Sequence, residues 1–485
     1  TFAGCTSLAL ETLPFNLSRI GESAFQDCTA LALKELPNIK YIGVSAFQGC
    51  TALALKELPN TTTIGNSAFQ DCTSLALPKL PDSLRYIGAS AFKGCTSLAL
   101  KELPNTTLVI ESSAFQDCTS LALTKLPDVI RFMGGSAFKG CTTLALKELP
   151  NTITLIEISA FHGCTSLALT KLPHTLEAIR VGAFQGCTAL ALEELPPTLT
   201  EIGTSAFQGC TSLALTKLPD GIRYIGGFAF YGCTSLALTK LPDGIEEIVQ
   251  ETFAGCTSLA LETLPFNLRG IRTAAFEGCT SLTLKDLRWK ELQFLSESPR
   301  GDFFAGDWHK RGDFFLGDLA FKGCTALALE ELPDYLESIG IRTFEGCTAL
   351  ALTQLPATVT HIARAAFRNC TALALKELPP ELTVIPSYVF AGCTSLALTK
   401  LPDRITRLED SAFENCTKLA LTKLPTNLTW IGNYGFSNCT SLALSHIPRN
   451  LKTVGDFAFL NCDNVSDEVR SWIEKRFVGA GNIFG

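Results

Sequence analysis

The run C-T-S-L-A-L-P-K-L-P-D-S-L-R-Y-I-G-A-S-A-F-K-G, from Cys72 to Gly94 and back to a cysteine at Cys95, is 23 residues long, and the chain is built from it. All 20 cysteines fall on one lattice, from Cys5 and Cys28 through to Cys462. The step is 23 residues almost everywhere, 22 from Cys28 to Cys50 and from Cys50 to Cys72, and 45 from Cys279 to Cys324, which is two steps less one residue. A period of this size is the mark of a repeat architecture and is read before anything else.

Each place in the unit has a physical role. Phe stands three residues before every Cys, from Phe2 to Phe459, and accounts for 20 of the 32 Phe. Leu follows Cys at plus three, plus five and plus eight, an aliphatic side chain at plus twelve, and Ile or Val at plus fifteen. These are the inward positions. Pro follows the plus-eight Leu in 18 of 19 complete units. Lacking an N–H and fixed in φ, it is expected to end a short strand there. Gly follows the Ile in about half the units, as Gly88 does, and suits a turn of positive φ. The inward side chains of one coil cannot offset the entropy of ordering 23 residues. Stability therefore belongs to a stack of coils that share strand hydrogen bonds.

The order Leu, Leu-Pro, Leu, Ile-Gly, Ala-Phe, Cys at this spacing resembles the BspA-like class of leucine-rich repeats, over nearly the whole chain. One feature departs from it. Two places before the plus-eight Leu, where the family carries an aliphatic residue, stand Thr124, Lys147 or Glu193, and the extra Leu sits one place earlier. The resemblance implies a leucine-rich-repeat solenoid of about 21 stacked coils. These would be short parallel β-strands with turns and short helical segments, closed by a C-terminal capping helix. Regular coils are expected over 1–284 and 320–462, a degenerate coil or loop over 285–319, and a helical cap over 463–485. The resemblance further implies a cell-surface or secreted protein that binds other proteins or cells. The chain opens at Thr1 inside a repeat, so it reads as a fragment or processed product with any signal peptide out of view.

Composition bounds the function. A net charge of −7 and a pI near 5.5 leave no basic footprint for nucleic acid. No apolar run approaches the ~20 residues of a membrane span. Twenty cysteines admit a disulfide reading. A cysteine at one place in every coil instead reads as a ladder of buried, reduced thiols acting as small hydrophobes. No C-x-x-C pair occurs and the five His lie scattered in different coils, so neither a metal site nor a cofactor site is read. No phosphate loop or nucleophile elbow appears, and the chain is read as no enzyme.

Three outward rows remain. At plus seven, charge alternates coil by coil through Glu57, Lys79, Glu102, Lys125, Glu148, Lys171, Glu194 and Lys217, which predicts opposite signs on adjacent rungs. At plus fourteen lies a variable row that includes Tyr86, Val109, Phe132, Leu155, Tyr224, His361 and Trp430. It reads either as a half-buried place beside the inward Ile or as a contact stripe; Tyr86, Phe132, Tyr224 and Trp430 are its candidate partner-binding residues. Thr directly after Cys forms the third row.

Between Lys285 and Leu319 the pattern breaks. Arg288 replaces the Pro, and an eleven-residue tandem copy places two RGD tripeptides, Arg300-Gly301-Asp302 and Arg311-Gly312-Asp313, on either side of Trp308. RGD is the tripeptide that many integrin ligands present on an exposed loop. The segment reads as a decayed coil without a partner, as an aromatic-rich contact loop, or as a ligand for an integrin-type receptor. After Cys462, Ser466 can cap a helix with Asp467 and Glu468 in its first turn, Lys475 and Arg476 in its last and Gly479 as its stop. A protein-binding or adhesion scaffold is the leading reading. A spacer or coat protein without a specific ligand is the alternative, as is an intracellular protein-binding scaffold. The near-identity of coils supports the spacer, since Thr1–Leu17 recurs unchanged as Thr252–Leu268.

Overall fold

A computed structural model describes residues 1–285, 287, 315–477 and 482–485, as two compact units, Thr1–Ala237 and Leu238–Gly485. Each unit is a parallel β-solenoid in which a regular coil gives one two-residue strand. The first unit holds β1 (Arg19–Ile20), β2 (Tyr41–Ile42), β3 (Thr63–Ile64), β4 (Tyr86–Ile87), β5 (Val109–Ile110) and β6 (Phe132–Met133) as one sheet in chain order. Its second sheet is β7 (Leu155–Ile156), β8 (Ala178–Ile179), β9 (Glu201–Ile202) and β10 (Tyr224–Ile225). The second unit has β11 (Glu247–Ile248), β12 (Gly270–Ile271) and β13 (Phe315–Leu316), then β14 (Ser338–Ile339) with β15 (His361–Ile362). It ends with a sheet of β16 (Val384–Ile385), β17 (Arg407–Leu408), β18 (Trp430–Ile431) and β19 (Thr453–Val454), followed by the helix α1 (Asp467–Arg476).

The inward places of the repeat are the core. In the coil of Cys72, Leu75, Leu77, Leu80, Leu84, Ile87, Ala91 and Phe92 are all buried. Where a polar residue takes the inward place after the Pro it is satisfied, as when the buried Thr61 hydroxyl, eleven residues after Cys50 in a 22-residue coil, donates to the Ile39 carbonyl at 2.9 Å. The Phe rings stack coil on coil, at 5.4–5.7 Å between centroids from Phe2 to Phe230. In the second unit a like column runs from Phe253 to Phe459 at 5.5–5.8 Å.

Four expectations are corrected. The strand does not end at the Pro. It lies on the far side, fourteen and fifteen residues after Cys in the 23-residue coils, and the residues before the Pro make only one isolated bridge among those described, Lys423 with His446. Nor do the described coils contain helical segments. In the Ala-Phe turn, Ala91, Lys93 and Cys95 donate three residues back, to Gly88, Ser90 and Phe92 at 3.0–3.1 Å. The N–H groups between them point to the next coil: Ser90 to Ser112 at 2.9 Å, and Phe92 to Ala114 and Gly94 to Gln116 at 2.8 Å. With every second donor committed to a neighbour, no helical ladder can close.

The third correction concerns glycine. Gly88 does not have positive φ; the left-handed places are Ser90 at 56° and Gly94 at 73°. A Cβ on Gly88 would lie 2.6 Å from the Asn66 nitrogen, so close approach of the preceding coil favours glycine there. The left-handed place five before Cys is rarely glycine and holds Phe228, Tyr388 and Tyr434 in other coils.

The fourth is the coil count. Among the described residues 19 strands stand against the expected 21 coils. β12 pairs directly with β13, Gly270 opposite Phe315, and the Phe276 and Phe321 rings stack at 5.5 Å. The 45-residue spacing therefore holds one coil, and Cys462 leads into α1 instead of a strand. The expected aromatic loop, with both RGD copies and Trp308, lies outside the described residues.

The cap matches its expected start. Ser466 accepts from the Val469 N–H at 3.3 Å, and Val469 and Ile473 are buried, while Trp472 is half-buried with its ring edge on Phe477. The expected stop Gly479 lies outside the described residues; Arg476 ends the helix. The chain end then imitates a further coil. Phe457 and Phe459 donate to Asn482 and Ile483, and Phe484 stacks on Phe459 at 5.7 Å.

All 20 cysteines are free, and 19 are buried. The buried thiols do more than fill space, as when Cys95 Sγ donates to the Phe69 carbonyl of the preceding coil at 3.0 Å. Burial pushes these thiols up, Cys50 and Cys187 to about 12. Alkylation of native protein at pH 8 is expected to add one group, at the exposed Cys5, and alkylation in guanidinium to add 20. Because the folded values are raised, this stability is complete below the unfolded thiol pKa and is lost as pH climbs through the folded values. Melting temperature should fall steeply above about pH 9, each thiol costing about 1.4 kcal/mol per pH unit. A flat profile to pH 11 would contradict the buried thiol ladder. A second expectation follows from the β12–β13 pairing. Replacing residues 288–314 by a copy of Pro265–Arg269 restores a 23-residue spacing, so cooperative unfolding should persist with melting temperature within a few degrees. Loss of the cooperative transition would refute direct stacking of these coils.

Candidate protein-binding surface

Alternation within each strand sets its two faces. The second residue, usually Ile, points inward, and the first points out beside its neighbours. On the six-stranded sheet the outward places are Arg19, Tyr41, Thr63, Tyr86, Val109 and Phe132, in register. Tyr41 is 43% exposed and Phe132 42%, while Tyr86 is half-buried between Thr63 and Val109. The Tyr86 hydroxyl donates to Glu111 Oε1 at 3.3 Å, and burial, with the Glu111 carboxylate second, raises its pKa.

Two of the four candidate residues of this row thus share one sheet, and Tyr41 joins them. Tyr41 lies thirteen residues after its Cys because that coil has 22 residues, so a fixed count of fourteen passes over it. Tyr224, 48% exposed, stands elsewhere, opposite Glu201, which is tied to Arg180 at 3.2 Å. Trp430 belongs to the second unit. The Arg407 guanidinium sits 4.8 Å over its ring and is itself held by Glu409 at 2.9 Å.

The other rows are structural. The Thr after Cys is tied along the ladder, as when Thr165 Oγ1 donates to the Thr142 carbonyl at 3.4 Å. The alternating plus-seven charges do not pair from coil to coil. From Glu57 to Lys217 the ion pair that the row makes among the described residues is within one coil, Lys125 to Asp128 at 3.2 Å. Both ends are exposed, and a long side chain reaches its own turn at less entropic cost than it reaches the next rung. Among the described residues no group of three His, Cys, Asp or Glu is placed to hold a metal, and no helix is long and apolar enough to cross a membrane.

Against known proteins, a model of the BspA type leucine rich repeat region, in 6 copies, matches residues 1–99, 62–191, 183–288, 315–416 and 372–470. A leucine-rich repeat protein from Bacteroides ovatus is 28% identical and superposes with a TM-score of 0.55, over 72% of this chain and 85% of that one. A leucine rich repeat protein of T. pallidum is 30% identical over 35% of this chain and 78% of its own, with a TM-score of 0.31. A leucine rich cell surface protein of Faecalibacterium prausnitzii is 21% identical, over 81% of this chain and 86% of that one, at 0.33. No curated protein matches.

A double-mutant cycle on Glu102 and Lys125, neighbours on the charged row, should give a coupling near zero. The cycle on Lys125 and Asp128 should give about 0.2–1 kcal/mol, screened by salt. The reverse order would restore the coil-to-coil charge ladder.

Proposed function

The chain belongs to the BspA-type leucine-rich repeat proteins, a repeat scaffold of the kind used for protein binding, and from that premise we propose a non-enzymatic adhesion or recognition scaffold of the cell-surface type. Its contact face is the outward row of the strand ladder. The observation that carries this reading is the in-register set Tyr41, Tyr86 and Phe132 on one sheet. Aromatic side chains offer large contact area at small cost in rotamer entropy, and they recur at the centre of protein interfaces. Variation supports it too: the inward places repeat almost unchanged while the outward place varies from coil to coil, and recognition needs variation. Partner binding would then rest on area and on many weak contacts along the ladder. The two RGD tripeptides are a second contact of this reading, with an integrin-type receptor as the partner they fit.

The test is attachment of cells to surfaces coated with the protein. One variant carries Tyr41→Ser, Tyr86→Ser and Phe132→Ser; another carries Asp302→Glu and Asp313→Glu. Attachment should fall with the strand-face variant, at an unchanged far-UV spectrum. Loss with the Asp→Glu variant would assign attachment to the RGD copies. Undiminished attachment in both would overturn the strand face and the RGD copies as contact sites, and no attachment to the unaltered protein would overturn the adhesive reading and leave a spacer.

A further inference from the structure

On the Leu-Pro side of the second unit, five successive coils enclose a groove of about 1050 Å³. Its floor is the plus-eight Leu row, Leu332 to Leu424, with the Pro that follows; the Leu side chains are buried and their upper edges form the bottom of the slot. One wall is the exposed polar row at plus seven; the other is made of exposed residues at plus ten and eleven, polar or charged except Ala357 and Pro380.

The walls differ from the same register elsewhere. In the first unit, from Glu57 to Lys217, the plus-seven charge alternates coil by coil and has no direction along the stack. Here it runs Glu331, Gln354, Glu377, Lys400, Lys423. The opposite wall adds Asp334 at the acidic end, and near the turnover of sign Glu381 is ion-paired with Arg404, with Asp403 beside it. The groove therefore has an acidic half and a basic half over one apolar floor. A ligand of a single sign would meet like charge in one half, which disfavours a nucleic acid or a simple polycation. Four steps of 5.5–5.8 Å between the stacked rings of these coils make the groove about 22 Å long, the span of about six or seven extended residues.

We propose that this groove binds an extended peptide segment with Lys or Arg at one end, against Glu331 and Glu377, Asp or Glu at the other, against Lys400 and Lys423, and small apolar side chains between, on the Leu-Pro floor. The proposal rests on the protein-binding reading and adds a second surface, with its own partner chemistry, to the strand face. Charge fixes the direction in which the peptide lies, and the apolar floor supplies the area.

The test uses a random octapeptide library displayed on phage, panned against the whole protein, with the enriched sequences synthesised and measured by fluorescence anisotropy. Enriched peptides should carry a basic block and an acidic block at opposite ends, in one constant order. A variant with Glu331→Lys, Glu377→Lys, Lys400→Glu and Lys423→Glu should bind those peptides roughly tenfold or more weakly and should enrich the opposite order. All four side chains are exposed, and an unchanged melting curve verifies folding. If that variant fails to fold, Lys400→Glu with Lys423→Glu alone should abolish preference for the acidic block. Affinity should fall as salt rises. Peptides without charge polarity, no enrichment, or binding that ignores the reversals would overturn the groove. Peptides lost only when Tyr41, Tyr86 and Phe132 are changed would also overturn it, yet leave the strand-face scaffold standing.

Discussion

The Phe three residues before each cysteine is where neighbouring coils are joined, and one residue makes every kind of joint. The Phe92 N–H donates to Ala114 of the following coil at 2.8 Å. Its carbonyl accepts the Cys95 N–H of its own coil and the Cys118 thiol of the next, both at 3.0 Å. Its ring lies between Phe69 and Phe115, 5.4 Å from each. Strands of two residues offer few hydrogen bonds, so this turn, more than the sheet, holds coil to coil. The thiol is suited to the place because it is small, apolar enough for the core, and carries one weak donor for a carbonyl that would otherwise have a spare lone pair.

Commitment to this turn has a cost that recurs in each coil. Its alternate N–H groups reach the neighbour only if the chain enters the left-handed region at two places. Gly94 takes one without strain; Ser90 takes the other at about 1–2 kcal/mol, and Tyr388 and Phe228 do likewise. No local composition signals the second place, since the residues found there favour other conformations in isolation. The glycine that does stand out in the sequence, Gly88, answers a contact with the coil before it.

Because the joints are all inward or in the turn, the outward places are free to vary without loss of fold. The strand face and the Leu-Pro slot use that freedom differently. One gathers aromatic rings on a sheet; the other turns an alternating charge row into a directional one over the coils from Glu331 to Lys423. Neither changes an inward residue, which is how a chain of near-copies can carry local sites.

Much of this was legible in the order of residues. The inward places, the cysteine ladder, the return to register at Leu316 and Ala320-Phe321, and the cap at Ser466 follow from period, polarity and capping chemistry. What lies between coils was not. The 45-residue spacing reads as two coils until Gly270 is found opposite Phe315. Tyr41 joins Tyr86 only when pairing, rather than counting from Cys, sets the row. The sequence by itself determined what each coil offers to a neighbour. Whether the offer is taken, and so what is core and what is surface, was decided by stacking alone, because a coil buries its Phe and Cys against adjacent coils and not within itself.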